Sequence, residues 1–176
     1  RQAEELAKAL GGNTTLKRLS LYNNKVGVEG VRELGKALDM NTTLTYLGLD
    51  KNRVGDEGVG EFVAQFKGNK TLRQLDLSRN EGITDAAFYA LGELMCESAI
   101  THIHLLGTGI SEERQESLSI LQSTPLPQRR AVFEGMLIQD TQPPIDGCGM
   151  SSVVAFIRSG TAAKHITITN DGTGDE

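Results

Sequence analysis

A period of 28 residues constrains this chain more than any other feature of its sequence. Leu16, Leu44, Leu72 and Ile100 stand at this spacing, and apolar residues follow each of them three and five positions later. An asparagine closes each of the first three phrases, and Thr108 closes the fourth. Self-similarity at a period of roughly 20–50 residues is typical of solenoids, in which each repeat buries its apolar face against its neighbours. The sequence therefore predicts a stack of similar units.

Each period predicts one short strand followed by one helix. Leu19 and Leu21 alternate with polar residues, which is the period-two pattern of a strand with one buried face. Val31, Leu34 and Leu38 then recur at helical spacing, and similar sets follow the second and third strands. The asparagines that close the strand phrases are expected to bond backbone groups of the neighbouring turn, since buried turn backbone needs partners. Half a repeat and four full repeats, starting near residues 13, 41, 69 and 98, account for the pattern.

The repeat phrases resemble the ribonuclease-inhibitor-like class of leucine-rich repeats. The likeness rests on the 28-residue length, on Asn-Thr-Thr-Leu at 13–16 and 41–44, and on the related phrases at 24–30 and 52–58. The class includes ribonuclease inhibitor, the sensor repeats of NOD-like receptors, the Ran GTPase-activating protein and tropomodulin. The resemblance extends to about residue 122. It implies an α/β solenoid, a right-handed β–α superhelix in the form of a short horseshoe, with a parallel sheet on the concave face and helices outside.

The two ends of the predicted repeat domain, residues 1–122, differ from its middle. The chain opens in mid-repeat with a helix at residues 4–10 and no preceding strand, so we expect an excised or processed segment. Apolar surface is expected at this end unless more repeats precede it. At the other end, Arg114 stands where earlier repeats have Gly30, Gly58 and Ala87. Such a side chain does not fit a close contact between repeats, so the fourth repeat is predicted to end the stack.

The repeat rhythm stops after residue 122, and residues 123–176 form a separate C-terminal segment. Pro125 and Pro127 interrupt any helix there, and apolar stretches follow at 131–138, 153–157 and 165–169. The last stretch alternates and is rich in β-branched residues, which predicts a strand. Three interpretations stay open: a cap packed on the last repeat, an extension that binds a partner, or a piece of a larger second domain.

Composition and charge narrow the class of protein. A net charge of −5 argues against a nucleic-acid partner, and no apolar run approaches the roughly 18 residues of a membrane span. Cys96 and Cys148 fit no metal spacing and no disulfide-rich cap. A cytoplasmic protein is expected, with a nuclear or cytoskeleton-associated location also compatible.

Three N-glycosylation motifs, at Asn13, Asn41 and Asn69, recur with the repeat, so we interpret them as structural.

Strand alternation predicts one exposed face of the sheet. Equivalent positions on adjacent parallel strands lie about 4.8 Å apart, which places Asp76 beside His104 and Gln74 between Tyr46 and His102. Tyrosine, arginine and histidine are frequent anchors of protein interfaces, so we hypothesise that this face binds a protein partner. The alternative is a solvated face without a partner. The predicted contact residues, called the sheet face below, are Arg18, Tyr22, Tyr46, Asp50, Gln74, Asp76, His102 and His104.

Little in the sequence points to catalysis. His102 and His104, with Asp76 nearby, resemble part of a metal or acid–base site, but no third ligand supports it. No nucleophile elbow and no phosphate-binding glycine loop is present, so no catalytic residue, cofactor, metal or small-molecule substrate is predicted. The resemblance adds one alternative, because Arg53 and Arg79 follow strands as the arginine of the Ran GTPase-activating protein does. A regulator of an enzyme, such as a GTPase-activating or innate-immune sensor fragment, therefore stands beside a non-catalytic scaffold.

Overall fold

A computed structural model describes residues 2–66 and 69–140 of the chain. The chain forms two compact units, Arg1–Phe133 and Glu134–Glu176. The description of the second unit is limited to residues 134–140, which continue a helix that begins in the first. The strand predicted at 165–169 and Cys148 lie outside the described residues. Within the described ranges, no helix combines the length and the apolar composition that a membrane span requires.

Strands and helices alternate along the first compact unit, as the period predicts. The strands form one parallel sheet in the order β1-β2-β3-β4. They are β1 (Arg18–Ser20), β2 (Tyr46–Gly48), β3 (Gln74–Asp76) and β4 (His102–His104). The helices are α1 (Gln2–Gly12), α2 (Val28–Met40), α3 (Asp56–Gln65), α4 (Phe88–Glu97, preceded by a 3-10 turn at Asp85–Ala87), α5 (Glu112–Ser123) and α6 (Leu126–Asp140). This order confirms the predicted leucine-rich-repeat fold.

The core lies between the sheet and the helices, and each repeat contributes equivalent residues to it. Leu44, Leu47 and Leu49 of the second repeat are buried, as are their counterparts in the third. On the helix side, Val31, Leu34 and Leu38 are buried as well. Gly58 shows why a small residue is needed where helices meet, because a Cβ there would lie 3.2 Å from side-chain atoms of Val31 and Val54. Full burial of one such aliphatic side chain contributes about 1.5–3 kcal/mol.

The predicted asparagine ladder is present at the turns that follow the strands. The side-chain carbonyl of Asn52 accepts hydrogen bonds from the backbone N–H groups of Asn24, at 3.0 Å, and Val26, at 2.9 Å. Its amide nitrogen donates to the Leu21 carbonyl at 2.9 Å. Asn80 makes the same three kinds of contact one repeat later. Each asparagine thus supplies partners for turn backbone that the core excludes from water.

A second ladder runs through the turns that precede the strands. The Asn41 amide nitrogen donates to the carbonyls of Leu10, at 2.8 Å, and Asn13, at 3.0 Å, while its oxygen accepts from Leu44 N–H at 2.8 Å. Asn69 repeats this pattern, and the two side chains are only 2% and 3% exposed. Glycosylation would attach to these enclosed nitrogens. The structural interpretation of the motifs at Asn41 and Asn69 is confirmed.

Residues 126–133 of α6 pack against α4 of the third repeat and against the residue that opens the fourth. The Arg129 side chain is 2% exposed and donates to the carbonyls of Met95, at 2.9 Å, and Ile100, at 2.5 Å. The Phe133 ring packs against Phe88, with ring centroids 5.8 Å apart. The predicted interruption occurs at the end of α5, and the chain resumes as helix at Leu126. Pro127 lies in the first turn of this helix, where a missing N–H costs nothing.

The predicted boundary between the repeats and the C-terminal segment differs from the end of the first compact unit. The predicted limit at residue 122 falls at the end of α5, whereas the first compact unit continues to Phe133. The contacts of residues 126–133 lie on α4 of the third repeat and on Ile100 of the fourth. The role of the full segment 123–176 stays a prediction, because residues 141–176 lie outside the described residues.

Candidate protein-binding face

The strands align the predicted contact residues in two rows across the sheet. Arg18, Tyr46, Gln74 and His102 are register partners in successive strands, and Ser20, Gly48, Asp76 and His104 form the second row. Asp76 therefore lies beside His104, and Gln74 lies between Tyr46 and His102, as the alternation predicted. Leucine and isoleucine side chains of the same strands point into the core, so the two rows face away from the helices.

One cluster organises the first three strands of this face. The Arg18 guanidinium carbon lies 4.0 Å from the centroid of the Tyr46 ring, a cation–π contact. The Tyr46 hydroxyl donates to the Asp76 carboxylate on the next strand. Burial raises the pKa of Tyr46, and the negative charges of Asp76 and Asp50 raise it further. The hydroxyl therefore stays protonated at neutral pH and holds its bond to Asp76.

Gly48 provides the room in which Tyr46 lies along the sheet. A Cβ at Gly48 would lie 3.1 Å from the Tyr46 hydroxyl oxygen and 3.4 Å from the Ser20 hydroxyl oxygen. The Asp76 carboxylate is fixed from the other side, because its Oδ1 accepts the Ser78 N–H at 3.0 Å. The cluster of Arg18, Tyr46 and Asp76 is thus held by its neighbours before any partner arrives.

Three other predicted residues, Tyr22, His102 and His104, make ring contacts of their own. Tyr22 follows β1 and is 45% exposed, and the Lys51 amine lies 5.6 Å from the centroid of its ring. The His102 and His104 rings are exposed on β4 with their centroids 6.5 Å apart. The Thr101 hydroxyl lies 2.9 Å from Nδ1 of His102. Across residues 2–66 and 69–140, no group of three histidine, cysteine or acidic side chains is placed to hold a metal ion.

A row of left-handed residues borders the sheet face, and the sequence analysis missed it. Asn23, Lys51, Arg79 and Gly107 have φ angles of 58°, 53°, 57° and 72° and are spaced by the repeat period. The N–H of Lys51 donates to the Ser78 carbonyl at 2.9 Å, so each turn is bonded to the next. Asparagine and glycine tolerate this backbone region better than other residues. Only Asn23 and Gly107 are of these types, so the row is not evident from residue type and is identified by the equivalent positions of its members in the repeat.

Comparison with known proteins supports the repeat assignment. Residues 12–35, 41–63 and 68–92 match the family model of the leucine-rich repeat. No curated protein sequence matches the chain at the level taken as significant. A solved structure of leiomodin-1 actin-binding site 2 is similar, with 18% identity, a TM-score of 0.52, and coverage of 90% of this chain and 96% of that one. The tropomodulin C-terminal domain of Caenorhabditis elegans matches with 15% identity, a TM-score of 0.41, and coverage of 78% and 99%.

Proposed function

We propose that this chain, a leucine-rich repeat protein with the 28-residue repeats of the ribonuclease-inhibitor-like class, is a non-catalytic module that binds a protein partner through the sheet face. The observation that carries the proposal is the cluster of Arg18, Tyr46 and Asp76. Aromatic and arginine side chains dominate the binding energy of many interfaces. Side chains that are already ordered lose less conformational entropy when a partner binds.

The rest of the sheet face suits a wider contact. Gln74 and the two exposed histidines extend the surface across β3 and β4, and Leu106 beyond β4 is 75% exposed. Tyr22 supplies an aromatic side chain at the opposite edge. A protein surface of mixed polar and apolar character fits this arrangement, because the contact residues lie in rows across several strands.

Actin is the first partner to test, and a cytoplasmic location is part of this proposal. The leiomodin-1 structure with the same fold is named for an actin-binding site. That likeness concerns the fold alone. Binding of actin by this chain is therefore part of the proposal. Co-sedimentation with filamentous actin and a solution assay with monomeric actin address the two forms separately, and capture from a cell extract extends the search to other proteins.

The decisive variant is Tyr46→Ala, compared with Tyr89→Ala. Both change a tyrosine, but Tyr89 belongs to α4 on the helix side of the repeats. Loss of a central aromatic anchor costs about 2 kcal/mol or more, so Tyr46→Ala should weaken partner binding at least tenfold. Tyr89→Ala should change the dissociation constant less than twofold. Equal affinity of the two variants, with thermal unfolding showing both folded, would reject the sheet face as the binding site.

A regulator of a GTPase is the second candidate function. Arg53 and Arg79 are exposed in turns that follow β2 and β3, where a side chain can reach into a partner. An arginine that enters the active site of a GTPase can raise its turnover about 10³–10⁵-fold. Single-turnover GTP hydrolysis by Ran, measured with the wild-type chain and with Arg53→Ala and Arg79→Ala, tests this function. An unchanged rate with the wild-type chain would exclude this activity on that GTPase.

A further inference from the structure

Two groups of cations in the described residues differ in their partners. Those of the first group lie on helices and form ion pairs with glutamates: Lys8 with Glu4, Arg32 with Glu61, Lys36 with Glu33, and Arg130 with Glu93. Those of the second group lie in the turns after β1, β2 and β3, and we call them the turn ridge: Lys25, Lys51, Arg53 and Arg79. All four are exposed, and none forms an ion pair with a carboxylate of residues 2–66 or 69–140.

Backbone hydrogen bonds hold the turn ridge in a fixed arrangement. Lys51 and Arg79 occupy the left-handed row, and the Arg79 N–H donates to the Leu106 carbonyl at 2.7 Å. Arg53 lies one repeat after Lys25, and its N–H donates to the Val26 carbonyl at 3.1 Å. The turns stack in the same order as the strands they follow, and neighbouring strands lie about 4.8 Å apart. Four cations are therefore close together along one edge of the sheet face.

Few carboxylates offset this charge locally. Asp50 precedes Lys51 and is one carboxylate that offsets the ridge. Glu81 is exposed in the third turn. It holds the same position in the repeat as Lys25 and Arg53 but carries a negative charge. The ridge keeps an excess of positive charge on a chain whose net charge is −5. Such a reversal of sign guides a negatively charged partner to one edge of the molecule.

We infer that the turn ridge binds an acidic segment of the partner protein. This inference rests on the proposed function and specifies the chemistry of the partner beside the sheet face. Two exposed apolar side chains, Tyr22 and Leu106, lie at the two ends of the same edge and suit contact with a polypeptide. A long nucleic acid would in addition meet the negative charge of the remaining surface, which opposes its binding.

The experiment measures binding of a fluorescein-labelled poly-glutamate peptide by fluorescence anisotropy. The test variant is Lys51→Asn combined with Arg79→Asn, since Asn23 shows that asparagine suits the same left-handed position. The matched control is Lys8→Gln combined with Lys36→Gln, which changes the net charge equally but on the helices. Thermal unfolding of both variants checks that the fold is intact.

The ridge variant should bind the peptide about tenfold more weakly, and the control should stay within about twofold of wild type. Raising the salt concentration from about 50 to about 300 mM should weaken wild-type binding and narrow the difference between the variants. Partner binding by Tyr46→Ala and peptide binding by the ridge variant are separate measurements, so failure of the sheet-face proposal and failure of this inference give different results.

Three outcomes would overturn the inference. The first is absence of peptide binding by the wild-type chain at low salt. The second is an equal loss of affinity in the ridge variant and the control, which would indicate an effect of net charge alone. The third is tighter binding of a single-stranded oligonucleotide of matched charge than of the peptide, which would assign the ridge to phosphate groups.

Discussion

The first and the last repeat of the stack share one sequence pattern, but equivalent residues in them differ in burial. Leu16, which opens the first phrase, is 37% exposed, whereas Ile100 at the equivalent position of the fourth is fully buried. β1 and β4 are both edge strands of the sheet. The exposure of a residue in the repeat therefore depends on the elements that pack against that repeat. The sequence pattern of the repeat alone does not decide it.

Side chains of α5 and α6 bond backbone groups at the open side of the fourth repeat. Gln122 of α5 donates to the Ile103 carbonyl at 3.2 Å, and Arg129 donates to the Ile100 carbonyl. These bonds occupy one backbone acceptor in β4 and one just before it, at an edge that would otherwise be open to another strand. Burial lowers the pKa of Arg129, but three carbonyl groups accept its hydrogen bonds and offset the cost of removing the charge from water.

The strongest test of the closed end is Phe133→Ala. The Phe133 ring fills the space above Gly92, where a Cβ would lie 2.1 Å from the ring, so its removal leaves a cavity. We expect a loss of about 3–5 kcal/mol in the free energy of unfolding, measured by urea denaturation. Leu126→Ala, at an exposed position of the same helix, should cost less than about 1 kcal/mol. Equal losses for the two variants would show that α6 does not close the stack through Phe133.

A second, smaller effect compares the same position in two repeats. Leu72→Ala should lower the free energy of unfolding by about 2–5 kcal/mol, because Leu72 is fully buried. Leu16→Ala should cost about 1 kcal/mol or less, because that side chain already contacts water. Urea denaturation of both variants gives the difference directly. Similar losses would mean that the first repeat is as well covered in solution as the third.

The smallest expected effect concerns the turn of the fourth repeat. Gly107 has a φ of 72°, and Gly107→Ala should destabilise the protein by about 1 kcal/mol, since an L side chain is strained there. Gly107→Asn should cost less, because Asn23 adopts the same backbone region in the first repeat. Thermal unfolding separates the two variants. A loss from Asn as large as that from Ala would refute the equivalence of the turns at the two ends.

Much of the fold follows from the sequence because the repeat is set by short-range spacing. Strand alternation placed Leu19, Leu47, Leu75 and Ile103 toward the core and predicted the register that joins Tyr46 to Gln74. The ladder residues Asn52 and Asn80 were identified from their position after the strands. These features repeat four times, so each copy reinforces the interpretation of the others.

The candidate site was predicted less completely. The sequence placed Arg18, Tyr46 and Asp76 on one face but did not show that they form a connected cluster. That connection depends on the rotamer of Tyr46 and on the absence of a side chain at Gly48. The turn ridge was missed because its cations, including Lys51 and Arg79, look like ordinary turn residues until their partners are known.

The sequence by itself determined the repeat, the alternation of strands and helices, the buried positions and the residues that line the exposed face. Tertiary structure decided which cations are paired, how Tyr46 reaches Asp76, and how α6 packs against α4. The contacts of Arg129 with Met95 and of Phe133 with Phe88 join residues more than 30 positions apart. No local period encodes such contacts, because they depend on packing between side chains brought together only when the stack is complete.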